Sequence, residues 1–199
     1  MEDIRIYCEN TRSYVKVMMG TTLSELSGQL CPTINDNMQV LAALVDNKLK
    51  SLDYKIINPH NVRFVGYDHP DGRRTYIRSL CFVLQKVIRD IYPDKVLSID
   101  YSLPSGLYCE IREAEPMEDG RPRVYFATDE ELQSIEDKMR EIIAADMPFC
   151  KKMMSLGECE TLFTRNGQTE KVNLLKTIGR FNYNVYFLDG HADTFYGPL

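Results

Sequence analysis

The side chains that could carry chemistry in this chain are few and scattered. Three histidines, His60, His69 and His191, lie far apart, and the six cysteines, Cys8, Cys31, Cys81, Cys109, Cys150 and Cys159, form no C-x-x-C pair. A structural zinc site needs about four such donors converging on one point, so no metal is expected. The cysteines fall mostly within apolar patterns and are expected to be free, buried thiols. His191 stands two residues before Asp193, a spacing that keeps both on one side of an extended segment. It is read as a turn histidine beside Gly190, with a displaced catalytic base as the alternative. Tyr183, Tyr186 and Tyr196 make an aromatic group near the end, of a kind that stacks bases or builds cores, and the charge balance favours core. No Gly-x-x-x-x-Gly-Lys-Ser/Thr run occurs, so the phosphate-cradling loop of a P-loop kinase is absent from these 199 residues.

Net charge bounds the partners. At −5 the chain does not have the balance of a general RNA-binding protein, whose affinity rests on phosphate neutralisation. Arg73, Arg74 and Arg78 form one small basic group and Lys151-Lys152 a second, both expected to be solvated faces. Nucleic acid is therefore the less favoured partner. No apolar run approaches the ~20 residues that span a bilayer, and Met1-Glu-Asp-Ile-Arg is acidic and lacks the apolar stretch of a signal peptide. A cytoplasmic protein without a membrane partner is expected.

The elements that must position these groups follow from periodicity. Ile4–Tyr7 and Tyr14–Met18 alternate as strands. A helix follows Gly20, with Thr21 or Thr22 as N-cap and Leu23, Leu26 and Leu30 on one face. The apolar run Val40–Val45 suits a buried strand, Asp46-Asn47 a turn, and Asn61–Val65 a last strand. The polar stretch Asp68–Arg74 reads as the boundary between two units. Thr75–Tyr92 carries Ile77, Leu80, Cys81, Leu84, Val87, Ile88 and Ile91 at helical spacing before Pro93. Val96–Tyr101 and Leu107–Ile111 flank a Pro-Ser-Gly turn as a hairpin, and residues 113–122 form a polar loop. Thr128 and Glu131 make a capping box for a second long helix through Ala145, whose face is Leu132, Ile135, Met139, Ile142 and Ile143. A strand at Phe149–Met154, short helices at Glu158–Phe163 and Lys171–Lys176, and a strand at Val185–Leu188 complete the order.

Two stretches carry a resemblance. Strand, strand, helix, strand, turn and strand, with Gly-Thr-Thr-Leu-x-x-Leu ahead of Val-Asp-Asn-Lys-Leu, resembles the TGS domain, a small β-grasp fold. Arg78-Ser-Leu-Cys-Phe82, Pro104-Ser-Gly-Leu-Tyr108, Ile135-Glu-Asp-Lys-Met139, Glu170-Lys171 and Asp193-x-x-x-Gly197-Pro198 occur in the order of the second additional domain of threonyl- and alanyl-tRNA synthetases. The resemblance implies an α+β chain with two domains: a TGS-like β-grasp over residues 1–68, then over 75–199 an editing-type domain with an antiparallel sheet and two long helices. In that family an H-x-x-x-H pair and a C-x-x-x-H pair meet in one pocket. Here their positions hold Arg78, Phe82, Phe195 and Leu199, none a neutral-imidazole or thiolate donor.

A scaffold kept while its reactive groups are replaced is also found ahead of the kinase domain in bacterial uridine kinase-like proteins. The leading expectation is therefore a non-catalytic accessory module of such a protein. The kinase domain, its ATP and its magnesium would lie beyond residue 199, and no cofactor is expected in this segment. The alternative is an aminoacyl-tRNA deacylase or tRNA-binding module. No catalytic residue is assigned. Candidate ligand-binding residues are Arg78, Ser79, Tyr108, Lys171, Asp193 and Tyr196. The partners implied are the kinase domain in cis and a small molecule or nucleotide. Phe82 and Phe195 are expected to fill the former cavity, and Arg78 to pair with Asp193, bind an anion or face solvent.

Overall fold

The structure, a computed structural model, describes residues 3–34, 37–104, 106–115 and 117–199. The acidic start at residues 1 and 2, Ser105 of the hairpin turn and Pro116 of the polar loop lie outside the described residues. The fold is α+β. By compactness the chain divides into Met1–Ser79 with Phe195–Leu199, and Leu80–Thr194.

The first unit is a five-stranded sheet with one helix on it. Strands β1 (Asp3–Cys8) and β2 (Ser13–Met18) form an antiparallel hairpin, and β7 (Asn61–Val65) joins β1 in parallel. Antiparallel β5 (Ala42–Val45) and β6 (Lys48–Lys50) complete the order β2-β1-β7-β5-β6. The β5–β6 turn uses Asp46 and Asn47 at φ 48° and 61°, the doubly left-handed turn that suits these residue types. Helix α1 (Leu23–Leu30) starts on a full capping box: the Glu25 amide donates to the Thr22 hydroxyl, and the Glu25 carboxylate accepts from the Thr22 amide. Its Leu23 and Leu26 close over Ile6, Cys8, Val17, Ala43, Val45, Val62 and Phe64, so one face of the sheet is dry. A small hairpin, β3 (Thr33–Ile34) with β4 (Met38–Gln39), was not evident from periodicity because each strand has two residues.

Helix α2 (Pro70–Ile91) begins five residues before the expected start at Thr75. The stretch read as a boundary is its first turn: proline is tolerated where the missing N–H has no helical partner, and Gly72 is required by contact. A Cβ on Gly72 would stand 1.9 Å from the Gly66 carbonyl oxygen, so only glycine fits there.

In the second unit, β8 (Lys95–Leu103), β9 (Gly106–Glu113) and β10 (Val124–Tyr125) form one antiparallel sheet, with a register shift between Ile99 and Tyr101. Helix α3 (Asp129–Ala144) carries the expected Thr128–Glu131 capping box. Its expected face is narrower than the apolar pattern: Ile135 and Ile142 are buried, but Leu132 and Ile143 are 52% and 54% exposed. Strands β11 (Cys150–Ser155), β12 (Asn182–Leu188) and β13 (His191–Thr194) form a second antiparallel sheet. Helices α4 (Leu156–Arg165) and α5 (Thr169–Ile178) cover it through Cys159, Phe163, Val172 and Leu175. Of the six free cysteines, Cys8, Cys31 and Cys159 are buried; Cys109 and Cys150 are exposed, contrary to expectation, because they lie on sheet edges and faces with little cover. No helix among the described residues is long and apolar enough to cross a membrane.

Candidate functional site

The second unit gathers its buried ionisable groups around β13. The Asp189-Gly190 turn, at φ 42° and 79°, reverses the chain so that His191 pairs with Leu188, Ala192 with Phe187 and Asp193 with Tyr186. Period-two alternation then turns His191 and Asp193 to one side and Ala192 to the other. Asp193 is 1% exposed, accepts from the Thr194 amide at 2.5 Å, and forms a tight ion pair with the Lys171 ammonium from α5. Burial lowers Lys171 to about 8, which still leaves it mostly cationic at neutral pH.

His191 is 7% exposed, and the ring centroid of Phe82 lies 5.4 Å from its own. Burial, then the positive charges of Arg89, Lys171 and Lys86, lower its pKa to about 4, with Asp90 opposing. The imidazole is therefore neutral at pH 7, and its buried Nε2 has no hydrogen-bond partner. It is not the turn histidine expected from Gly190: it is the first residue of a strand that the apolar pattern does not announce. The Asp189-Gly190 pair immediately before it was the available signal. The cations around it are committed elsewhere. Lys86, 6% exposed, pairs with Asp90 at 2.6 Å and Asp189 at 3.5 Å, and Arg89 donates to the Asn166 carbonyl at 2.6 Å. Sequence reasoning passed over Lys86, since a lysine within an apolar helix stripe reads as solvated.

Arg78 and Ser79 make their hydrogen bonds within the first unit. Arg78 donates from Nε and Nη2 to the Pro198 carbonyl at 3.0 and 2.8 Å, and from Nη2 to the Thr75 hydroxyl at 3.1 Å. A Cβ on Gly197 would stand 2.9 Å from that guanidinium, so glycine there lets the Gly-Pro segment lie against Arg78. Ser79 donates back to the Thr75 carbonyl within α2. Tyr108 stacks on Tyr101 at 4.7 Å and donates to Glu110, a contact that raises its pKa. Tyr196 is exposed, whereas Tyr183 and Tyr186 are core residues. Phe82 is fully buried and meets Phe149 edge-on at 5.3 Å. Of the six candidates, the structure brings Lys171 and Asp193 together, and Arg78 and Ser79 share a helix turn. Among the described residues no group of three or more His, Cys, Asp or Glu is placed to hold a metal ion.

No family model matches the chain. Its relatives among curated proteins include the threonine–tRNA ligase of Rhodopseudomonas palustris, 27% identical over 168 residues that make up 84% of this chain and 23% of the ligase. That of Pelobacter propionicus is 21% identical over 183 residues, 92% of this chain and 27% of the ligase. That of Clostridium kluyveri is 24% identical over 196 residues, 98% and 29%. The chain thus spans about a quarter of the length of the curated relatives it matches. These similarities support a threonine–tRNA ligase-related region over most of the chain. They lend nothing to the expected uridine kinase connection, and the alternative reading stands above the leading one.

Proposed function

We propose that the chain is a tRNA-ligase-type module that recognises the aminoacyl-bearing end of tRNA without hydrolysing it. The observation that carries this reading is the set of replacements at the four positions where the resemblance puts imidazoles and a thiolate. Phe82 is fully buried against Phe149 and His191, and Arg78 is bonded to the Pro198 carbonyl. Hydrolysis of an aminoacyl ester needs a base to activate water and donors for the developing oxyanion. His191, shut beside Phe82, does not present such a base.

In this reading the first unit is a TGS-like β-grasp, supported by its sheet order and single covering helix. The second is an editing-type domain in which Lys171, held in place by the buried Asp193, meets the ester carbonyl or hydroxyl group of the amino acid moiety. Nitrocellulose filter binding with charged and uncharged tRNA, alongside release of serine from seryl-tRNA, tests both halves. The expected result is binding that weakens in Lys171→Ala, with release no faster than the uncatalysed rate. Absence of tRNA binding would overturn recognition. Turnover abolished by His191→Ala would make the chain an editing enzyme with a relocated base.

A further inference from the structure

The strand register of the first unit sorts its side chains onto two faces, and the face away from α1 has an unusual composition. Ile4, Ile6, Val15, Val17, Val62 and Phe64 point to the core. Alternation therefore turns Arg5, Tyr7, Tyr14, Lys16, Asn61 and Arg63 to the opposite side. Arg5 and Lys16 are direct cross-strand partners, both exposed. Like charges directly opposite destabilise a sheet; Arg5 is offset by its contact with the Tyr14 ring, whereas no such contact offsets Lys16 among the described residues. No carboxylate pairs with Arg5, Lys16 or Arg63 among the described residues; the one acid on this face of β1, Asp3, lies opposite Met18.

The rings sit between the cations. Tyr7 and Tyr14 are the next cross-strand pair on this face after Arg5 and Lys16, with ring centroids 5.0 Å apart. Tyr7 is also level with Asn61, so Arg63, two residues along parallel β7, falls on the far side of the tyrosines from Arg5. With about 3.3 Å rise per residue, each cationic layer is about 7 Å from the aromatic layer. The Arg5 guanidinium lies 4.2 Å from the Tyr14 ring centroid, yet Tyr14 remains 63% exposed.

We propose that this face binds single-stranded RNA, a base stacking on Tyr14 while the flanking phosphates meet Arg5 and Lys16 on one side and Arg63 on the other. A basic and aromatic face on a chain of net charge −5 is charge-complementary to a polyanion, and rings set between cations fit a base between phosphates. An acidic peptide would use the cations and leave the rings idle. This site is separate from the recognition of the aminoacyl end proposed for the second unit.

The test is fluorescence anisotropy of a labelled single-stranded oligoribonucleotide with the 199-residue protein, across a salt series. Three neutralised phosphates on a single strand predict log K falling with log salt at a slope of about −2. Lys16→Gln and Arg5→Gln each lessen that slope by about 0.7, and in Lys16→Gln the melting temperature stays level or rises, since the like-charge opposition is removed. Tyr14→Ala weakens binding about tenfold at every salt concentration, the loss of one stacked base. Lys171→Ala leaves oligonucleotide binding unchanged, which separates this site from the second unit's. No binding by the wild-type protein at low salt overturns the proposal. So do wild-type affinity in both Lys16→Gln and Tyr14→Ala, or equal affinity for duplex RNA, whose bases are already stacked.

Discussion

Acidification should weaken this protein through His191, and the size of the effect can be worked out. The imidazole titrates near 6.5 when unfolded and about 4 when folded. Between those values the unfolded chain holds a proton that the native protein does not, so native stability rises with pH across the window. The group's contribution is fully present above pH 6.5 and is lost as pH falls towards 4. A difference of about 2.5 pH units, at about 1.4 kcal/mol per unit, amounts to about 3 kcal/mol, of which about 2 kcal/mol is gone by pH 5. Since the chain contains no tryptophan, urea unfolding is best followed by far-ultraviolet circular dichroism at pH 7.5, 6.5, 5.5 and 4.5. The comparison is with His191→Leu, which keeps an apolar group beside Phe82 and removes the titration. Contributions from other acids and histidines cancel in the difference between the two proteins. The wild type should lose about 2 kcal/mol more than the variant between pH 7 and 5. Parallel losses in the two proteins, or a His191 ring proton titrating near 6.5 by NMR, would refute the reasoning.

Two further substitutions probe other parts. Asp193→Ala leaves the Lys171 ammonium half-sheltered without its carboxylate and should cost about 3 kcal/mol in urea unfolding, whereas Lys171→Met with Asp193→Leu should restore most of that loss, since a buried pair replaced as a whole is nearly neutral. Thr128→Ala removes the hydroxyl that accepts from the Glu131 amide at 3.3 Å and should cost about 1 kcal/mol, read as a lower denaturation midpoint with an unchanged slope.

What could be read from the sequence was mostly local. The Thr128 capping box, an N-cap at Thr21 or Thr22, the Asp46-Asn47 turn and the hairpin flanking Pro104 each depend on a few adjacent residues, and each is present, Thr22 being the cap. Burial depends on partners elsewhere in the chain and was read less well. Leu132 and Ile143 match the helical period of α3 but stay exposed, while Lys86 is buried because Asp90 and Asp189 satisfy its ammonium. The start of α2 was hidden because Pro70-Asp-Gly72 has turn composition, and the close approach that demands Gly72 is tertiary. At the candidate site, Lys171 and Asp193 were named through a resemblance, and their pairing spans 22 residues that periodicity does not connect. Strand β13 was missed although Asp189-Gly190 announces a hairpin, since His191-Ala-Asp-Thr194 has little β-branched or aromatic character.

The near-contact between Gly72 and the Gly66 carbonyl also governs how the chain can be altered in length. The seven residues from Gly66 to Gly72 form a fixed joint, in which the His69 amide donates to the Gly66 carbonyl at 3.2 Å and the Arg73 amide to the His69 carbonyl at 2.9 Å. A helix turn resting on the end of a strand tolerates no added or deleted residue, because a single insertion rotates every later position on the helix by about 100° and carries the glycine off its seat. Recombination that exchanged the β-sheet unit for another at Asp68, where composition invites a cut, would bring a foreign strand end against Gly72. A splice placed after Ser79 would transfer strand, joint and first helical turns as one piece, and would need Phe195–Leu199 to travel with them, since Arg78 donates to the Pro198 carbonyl.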